Sequence, residues 1–328
     1  MMTAPTGTSF RSAAAVASAK ARSIGVDFLM NSRARRLQCY EPLMESQISP
    51  PRGERIAKVI ARAGLCSRRD AEAWIASGRV IVNGETLTSP ARNVGPDDEI
   101  IVDGKALPQK EATRLWLYHK PKGLVTTARD PEGRPTVAAS LPKTLPRVVT
   151  VGRLDLNTEG LLLLTNDGGL SRVLELPSTG WLRRYRVRVH GNVDEGRLKS
   201  LADGVAIDGV LYGAIEAALE RRQATNAWIL VGLREGKNRE IKRVMEHMGL
   251  VVTRLIRISF GPFQLGDLPS GEVREIKGRV LRDQLGSRLA ADAGIEVARR
   301  PVVQQPGSDS AHKRQPSTHR RNFAGRRR

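Results

Sequence analysis

Val151-Gly-Arg-Leu-Asp-Leu-Asn-Thr-Glu-Gly160, running on into Leu161-Leu-Leu-Leu-Thr-Asn-Asp-Gly168, decides how the rest of this chain is read. Four consecutive leucines closed by Asn166-Asp167-Gly168-Gly169 predict a short strand buried on both faces, since the run offers water no polar side and ends on turn-forming residues. Asp155 precedes that run with five residues between. A carboxylate on a loop fixed to a stiff strand is a common placement for a reactive group. On the residues alone, Asp155 or Asn157 capping a turn is the preferred reading, because both types are frequent in turns.

Working outward, composition narrows the partners. The 328 residues carry 54 Lys+Arg against 34 Asp+Glu, a formal charge of +20, and 40% are hydrophobic. The length accommodates two domains with real cores, and the charge points to a polyanion. No apolar run approaches the roughly 18 residues of a spanning helix, so nucleic acid is favoured over membrane. Aromatics are 4%, which confines base stacking to a few residues. The cysteines, Cys39 and Cys66, form no Cys-x-x-Cys pair, and the histidines lack ligand spacing, so no metal site is expected. Isolated cysteines without a signal sequence fit a cytoplasmic protein.

Upstream, residues 1–52 read as a disordered basic extension. Their composition is shared with organelle transit peptides, but a plain extension, or a start codon placed ahead of Met30 or Met44, is the preferred reading. Residues 53–106 read as a compact module. Ile56, Val59, Ile60 and Ala63 give one apolar helical face ended by Gly64. Ser67-Arg-Arg-Asp70 opens a second helix with a capping box, and Arg79-Val-Ile-Val-Asn-Gly84 and Glu99-Ile-Ile-Val-Asp-Gly104 are strands running into turns. Arg68 and Arg69 sit at that helix start, where free N–H groups also favour an anion; from the residues alone the signal is weak, because surface arginines are usually only solvated. Residues 107–114 are the linker.

A second domain is expected over 115–276. It opens with a strand, Leu115-Trp-Leu-Tyr-His119, ended by Pro121, and Lys120 and Lys122 bracket that proline where phosphate could be met. Trp181-Leu-Arg-Arg-Tyr-Arg-Val-Arg-Val-His190 alternates, turning Tyr185, Val187 and Val189 inward and Arg184, Arg186 and Arg188 outward; from the pattern alone Tyr185 is a core tyrosine. In Arg234-Glu-Gly-Lys-Asn-Arg-Glu-Ile-Lys-Arg243, Asn238 is read as capping a helix whose first turns carry Arg239, Lys242 and Arg243, with Lys237 just ahead. Cations at a helix start, where the macrodipole is already positive, favour a bound anion or a carboxylate partner. Residues 286–328 read as a disordered basic tail able to hold RNA without sequence preference.

Taken together, Lys120-Pro-Lys-Gly123, Gly152-Arg-Leu-Asp155 with Thr158-Glu-Gly-Leu-Leu-Leu-Leu-Thr-Asn-Asp-Gly168, Tyr185-Arg-Val-Arg-Val189 and Glu235-Gly-Lys-Asn-Arg-Glu-Ile-Lys-Arg243 resemble the RNA pseudouridine synthases, in their RsuA/RluB branch. Ala63-Gly-Leu-Cys-Ser-Arg-Arg-Asp-Ala71 with Gly78-Arg-Val-Ile-Val-Asn-Gly84 resembles the RNA-binding domain named after ribosomal protein S-four. The resemblance covers residues 53 to about 276. It implies an α+β fold, a small α/β docking module followed by a catalytic domain with a mixed, largely antiparallel sheet. It also implies isomerisation of uridine to pseudouridine without cofactor or metal, Asp155 acting as nucleophile and Tyr185 lying near the uracil. Lys242, with Arg243 beside it, would be the cation that keeps the carboxylate ionised, and Arg153 would help hold the nucleotide out of its stack. Asn238-Arg-Glu240 with Thr253-Arg-Leu-Ile-Arg257 is most similar to the branch acting on large-subunit (23S) rRNA, possible substrates being free rRNA or a pre-ribosomal particle. A small-subunit (16S) enzyme and a non-catalytic assembly factor are the alternatives. Arg68, Arg69, Lys120, Lys122, Lys237, Arg239 and Arg243 are expected to contact RNA, and the protein is expected to act as a monomer.

Overall fold

The computed structural model describes residues 53–295, and the expectations for 1–52 and 296–328 lie outside the described residues. Helices α1 (Ile56–Arg62) and α2 (Arg68–Ala76) precede β1 (Val80–Val82), β2 (Glu85–Thr86), β3 (Ile100–Val102) and β4 (Lys105–Ala106), which form an antiparallel sheet in the order β2-β1-β3-β4. The capping box sets the α2 start: Ser67 Oγ accepts from the Asp70 amide at 3.1 Å, and the Asp70 carboxylate accepts from the Ser67 amide at 3.2 Å. Asn83-Gly84 and Asp103-Gly104 both take positive φ, which lets a two-residue turn follow the twist of its strands. Ile56, Ile60, Ala71, Ile75, Val80, Val82 and Val102 close a core of their own.

The larger domain begins with β5 (Leu115–Lys120), α3 (Val137–Ser140), β6 (Val149–Val151), β7 (Thr158–Thr165), α4 (Gly168–Glu175) and β8 (Arg183–His190). It continues with α5 (Glu195–Ser200), the hairpin β9 (Val205–Ile207) and β10 (Val210–Tyr212), then β11 (Ile215–Gln223), β12 (Asn226–Leu233) and α6 (Glu240–His247). Strands β13 (Val251–Phe260), β14 (Phe263–Gln264) and β15 (Val273–Ile276) and helix α7 (Gly278–Asp292) complete it. Nine strands make one mixed sheet, ordered β11-β12-β8-β13-β7-β5-β15, with β6 beside β7 and β14 beside β13. Only the β7–β13 pairing is parallel.

The leucine run becomes the middle of this sheet. Leu162 and Leu164 join Trp116, Tyr118, Val187 and the α6 residues Ile241, Val244 and Met245 on one face. Leu161 and Leu163 join Leu115, Leu117, Leu170, Leu174 and the α7 residues Leu281 and Leu285 on the other. Helices cover both faces, so the period-two alternation of Leu115–His119 does not separate core from solvent. Strand β7 starts at Thr158, closer to Asp155 than the leucines alone indicated, and all eight of its residues are buried. Gly160 has φ +102°, and a Cβ there would overlap the Arg257 backbone, so only glycine lets β13 come alongside.

Two expectations are corrected. The tail read from residue 286 onward overlaps α7, which runs to Asp292 across a kink at Gly286; Leu281 and Leu285, one turn apart before the kink, and Leu289 and Ala290 after it, pack into the same core as the α4 residues Leu170 and Leu174 and outweigh the local charge. Helix α6 is not capped by Asn238: Arg239, at φ 52° and ψ 29°, precedes it, and the Glu240 carboxylate reaches back to the Lys237 amide at 2.9 Å. Among the described residues, no helix is long and apolar enough to cross a membrane.

Candidate active site

Asp155 lies on the loop entering β7, and its backbone is held from several sides. Thr126 Oγ1 donates to Leu154 O at 2.7 Å, the Gly123 amide donates to Leu156 O at 2.9 Å, and the Thr158 amide donates to Asp155 O at 3.0 Å. The ammonium of Lys120 donates to four carbonyls, Pro121 and Thr158 at 3.0 Å, Asp155 at 3.2 Å and Leu156 at 3.4 Å. Lys120 was expected to meet phosphate, but its side chain is wholly buried. Its position at the end of a strand covered on both faces turns it into the loop instead of into solvent. Burial lowers its pKa to about 8, against the opposing influence of the Asp155 and Glu159 charges.

The Asp155 carboxylate is 42% exposed and opens into a cleft of about 640 Å³. Lys242 Nζ stands 3.2 Å from Asp155 Oδ2. Arg243, one residue on, points instead to the Tyr212 hydroxyl at 3.5 Å, so of the two cations Lys242 is the one that meets the aspartate. Tyr185 borders the cleft from β8 while its ring packs in the core, which makes the core and site readings compatible.

The remaining expected cations divide. Arg153 and Arg239 are exposed and line the cleft. Arg68 and Arg69 are exposed at the start of α2. Lys122 stands 3.6 Å from Glu159, and Lys237 donates to Glu235 at 2.7 Å and to Leu211 O at 2.6 Å. Glu159 is also gripped by Arg254 through two hydrogen bonds of 3.1 and 2.9 Å. Burial would raise the Glu159 pKa, but Arg254 and Lys122 together lower it, so this carboxylate is engaged as an ion-pair partner.

Three buried groups beside the cleft were given no role of their own in the sequence reading. Arg183 donates to Trp181 O at 3.1 Å and Arg234 O at 2.7 Å and stacks on Phe260; Arg257 donates to Leu161 O at 2.7 Å and lies over the same ring. Strand parity was the available signal: Arg183 shares its face with Tyr185 and Val187, and Arg257 with Leu255. Glu240 is 3% exposed, and burial beside Glu235 pushes its carboxyl up to about 7. Among the described residues, no three His, Cys, Asp or Glu side chains cluster in a way that could hold a metal ion.

A carboxylate paired with an ammonium beside a tyrosine in an open cleft, on a chain of formal charge +20, suits an enzyme acting on a polyanion. Comparison with known proteins gives its class. A family described as RNA pseudouridylate synthase matches residues 114–247, and the S4 domain matches residues 54–100. An uncharacterised RNA pseudouridine synthase of Rickettsia bellii is 49% identical over 229 residues, spanning 70% of this chain and 99% of the relative. The ribosomal large subunit pseudouridine synthase B of Pseudomonas aeruginosa is 42% identical over 78% of this chain and 68% of its own length. A crystal structure of pseudouridylate synthase, 28% identical, superimposes with a TM-score of 0.50 over 71% of this chain and 99% of the other. The chain belongs to the RNA pseudouridine synthases, carrying an S4 domain ahead of the synthase domain.

Proposed function

We propose that this protein isomerises one uridine of large-subunit rRNA to pseudouridine, with Asp155 as the nucleophile. The observation that carries this reading is the 3.2 Å pair between Asp155 and Lys242 in an open cleft, on a loop whose backbone is otherwise immobilised. The likeness to the large-subunit synthase of Pseudomonas aeruginosa supports the choice of rRNA.

Substrate and product are isomers, so the reaction consumes no second substrate. An Asp155 oxygen attacks C1′ as the N1–C1′ bond breaks and the uracil leaves with the bonding pair. The freed base turns, C5 bonds to C1′, and the carboxylate departs; the proton lost from C5 is balanced by one gained at N1. A carboxylate suits both halves because it serves in turn as nucleophile and leaving group. Lys242 keeps a positive charge beside it throughout, and Tyr185 on the cleft wall is the candidate to stack near the base and relay the C5 proton. C1′ is out of reach inside a helix, so the nucleotide has to be extruded, and the exposed Arg153 is positioned to hold the displaced backbone.

Pseudouridine mapping on rRNA from cells lacking the protein, complemented with wild type or Asp155→Ala, tests the reading. One large-subunit uridine should lose its signal and regain it with wild type alone, while the variant still binds rRNA. An unchanged map, or equal rescue by Asp155→Ala, would sink the catalytic claim, and a changed small-subunit position would reassign the substrate.

A further inference from the structure

A second cleft, of about 660 Å³, is lined by residues of the docking module and of the synthase domain. Five cations line it: Lys58 and Arg62 from α1, Arg68 from α2, Arg172 from α4 and Arg288 from α7. Glu54 is shared by the α1 pair, lying 2.5 Å from Lys58 and 2.7 Å from Arg62, and offsets one of their two charges. Asp292 is the other carboxylate on the lining. Arg68, Arg172 and Arg288 are exposed, and none has a carboxylate partner within salt-bridge distance among the described residues. Three elements far apart in the sequence thus bring uncompensated guanidinium groups to one concave surface.

The position of this surface says what it could hold. Glu175 and Pro177 line the catalytic cleft, whereas Leu176, Ser178 and Thr179 line the second. One short segment is therefore the wall common to both. It carries Leu176, which is 41% exposed, next to the exposed Glu175. A polyanion with one nucleotide at Asp155 could cross that segment past Glu175 and continue into the second cleft, where five cations face the two carboxylates Glu54 and Asp292.

We propose that this second cleft holds the phosphate backbone of the substrate RNA beyond the reacting nucleotide, with Arg172 and Arg288 as its phosphate contacts on the synthase side. The inference rests on RNA being the substrate, and adds a place where the RNA is gripped away from the chemistry. Guanidinium groups suit that task because their forked donors match phosphate oxygens. Such contacts fix position and register without reading bases. Helix α7 would then have a function besides covering the sheet.

The test uses the full chain with Arg172→Glu and Arg288→Glu combined. Two RNAs are compared: a short hairpin carrying the modified uridine, and a longer fragment extending that hairpin by at least a helical turn on each side. For the longer RNA, KM should rise about ten- to a hundredfold with kcat unchanged, and the slope of log affinity against log salt should fall by about two, one for each lost phosphate contact. The hairpin should be bound and modified as by wild type. Unchanged affinity and salt slope on the longer RNA would overturn the proposal, because the cleft would then hold no RNA, leaving an acidic protein segment as its occupant. An equal loss on both RNAs would also overturn it, since the lesion would then have reached the synthase site. If the charge reversals do not fold, Arg172→Gln with Arg288→Gln should give the same pattern at smaller amplitude. A wild-type protein that binds the longer RNA through these arginines yet makes no pseudouridine would defeat the catalytic reading and leave this one standing.

Discussion

Replacing Lys120 by methionine separates two roles that predict opposite phenotypes. As a phosphate contact, Lys120 would matter to RNA binding and little to stability. As the buried anchor of the Asp155 loop, it should matter to stability and turnover and little to binding. Its ammonium donates to four carbonyls within 3.4 Å. Asp155 O and Leu156 O each keep a backbone amide donor, so at most two acceptors are stranded. At about 1–3 kcal/mol for each stranded acceptor, the loss is about 2–6 kcal/mol. Against it stands the cost of burying the charge, since a pKa lowered from 10.5 to about 8 corresponds to a penalty of about 3 kcal/mol at neutral pH. The net destabilisation is therefore at most about 3 kcal/mol, and it is pH-dependent. Between about pH 8 and 10.5 the unfolded chain binds more protons at Lys120 than the native state does. Wild-type stability should accordingly rise through that window relative to Lys120→Met, and the difference should level off on either side. Urea unfolding of both proteins across that range, with single-turnover rates and RNA affinity at neutral pH, makes the measurement. We expect kcat to fall more than about tenfold, since a loosened loop misplaces the nucleophile, with RNA Kd unchanged. A variant that unfolds like wild type at every pH, yet binds RNA more weakly with a salt slope reduced by about one, would refute the anchor.

Lys242→Met should slow the single-turnover rate about thirtyfold, equivalent to about 2 kcal/mol for a charge pair that is only partly shielded from water, while Lys242→Arg retains most of the activity. Equal rates for Lys242→Met and wild type would remove Lys242 from the chemistry. Glu240→Gln should stabilise the protein by about 1–3 kcal/mol near pH 8 and leave it unchanged near pH 4. Burial raises the folded pKa of Glu240 to about 7, so native stability falls as pH rises from the unfolded value through that point and stays lowered above it. Unfolding curves across the window should be steeper in pH for wild type than for the glutamine variant, and parallel curves would count against the buried charge.

What could be read from the chain is what local sequence determines. The leucine run, the Ser67–Asp70 capping box and the Asn83-Gly84 turn each encode their conformation within a few residues, and each takes the expected form. Lys120 misled because all but one of its partners lie 35 to 38 positions away, in a loop whose path no periodicity records. Asn238 misled for a different reason. A good capping residue stood one place from a residue that the fold holds at positive φ, and tertiary constraint prevailed over preference. Arg183 and Arg257 were hidden by their type: arginine is normally an outside residue, so parity that would have marked a valine as buried was discounted. Tyr185 was legible as an inward residue from alternation, but that it borders the cleft depends on which strands flank β8.

The meeting of Asp155 and Lys242, 87 residues apart, follows from one unusual pairing. Asp155 leads into β7, and α6 leads into β13 after a tight turn ending at Gly249-Leu250. Because β7 and β13 run parallel, with Thr158 opposite Leu255, the segments that enter them arrive at the same end of the sheet. Strand β13 begins four residues before that register point, and α6 folds back from its start, so the first helical turn returns toward the level of Thr158. An antiparallel pairing would have sent α6 to the far end and left the carboxylate without its cation. The parallel pairing in turn requires Gly160, where the Arg257 backbone fills the space of a side chain. A residue with no functional group is thus a condition for the charge pair: it permits the strand approach, the approach fixes the helix, and the helix delivers the ammonium.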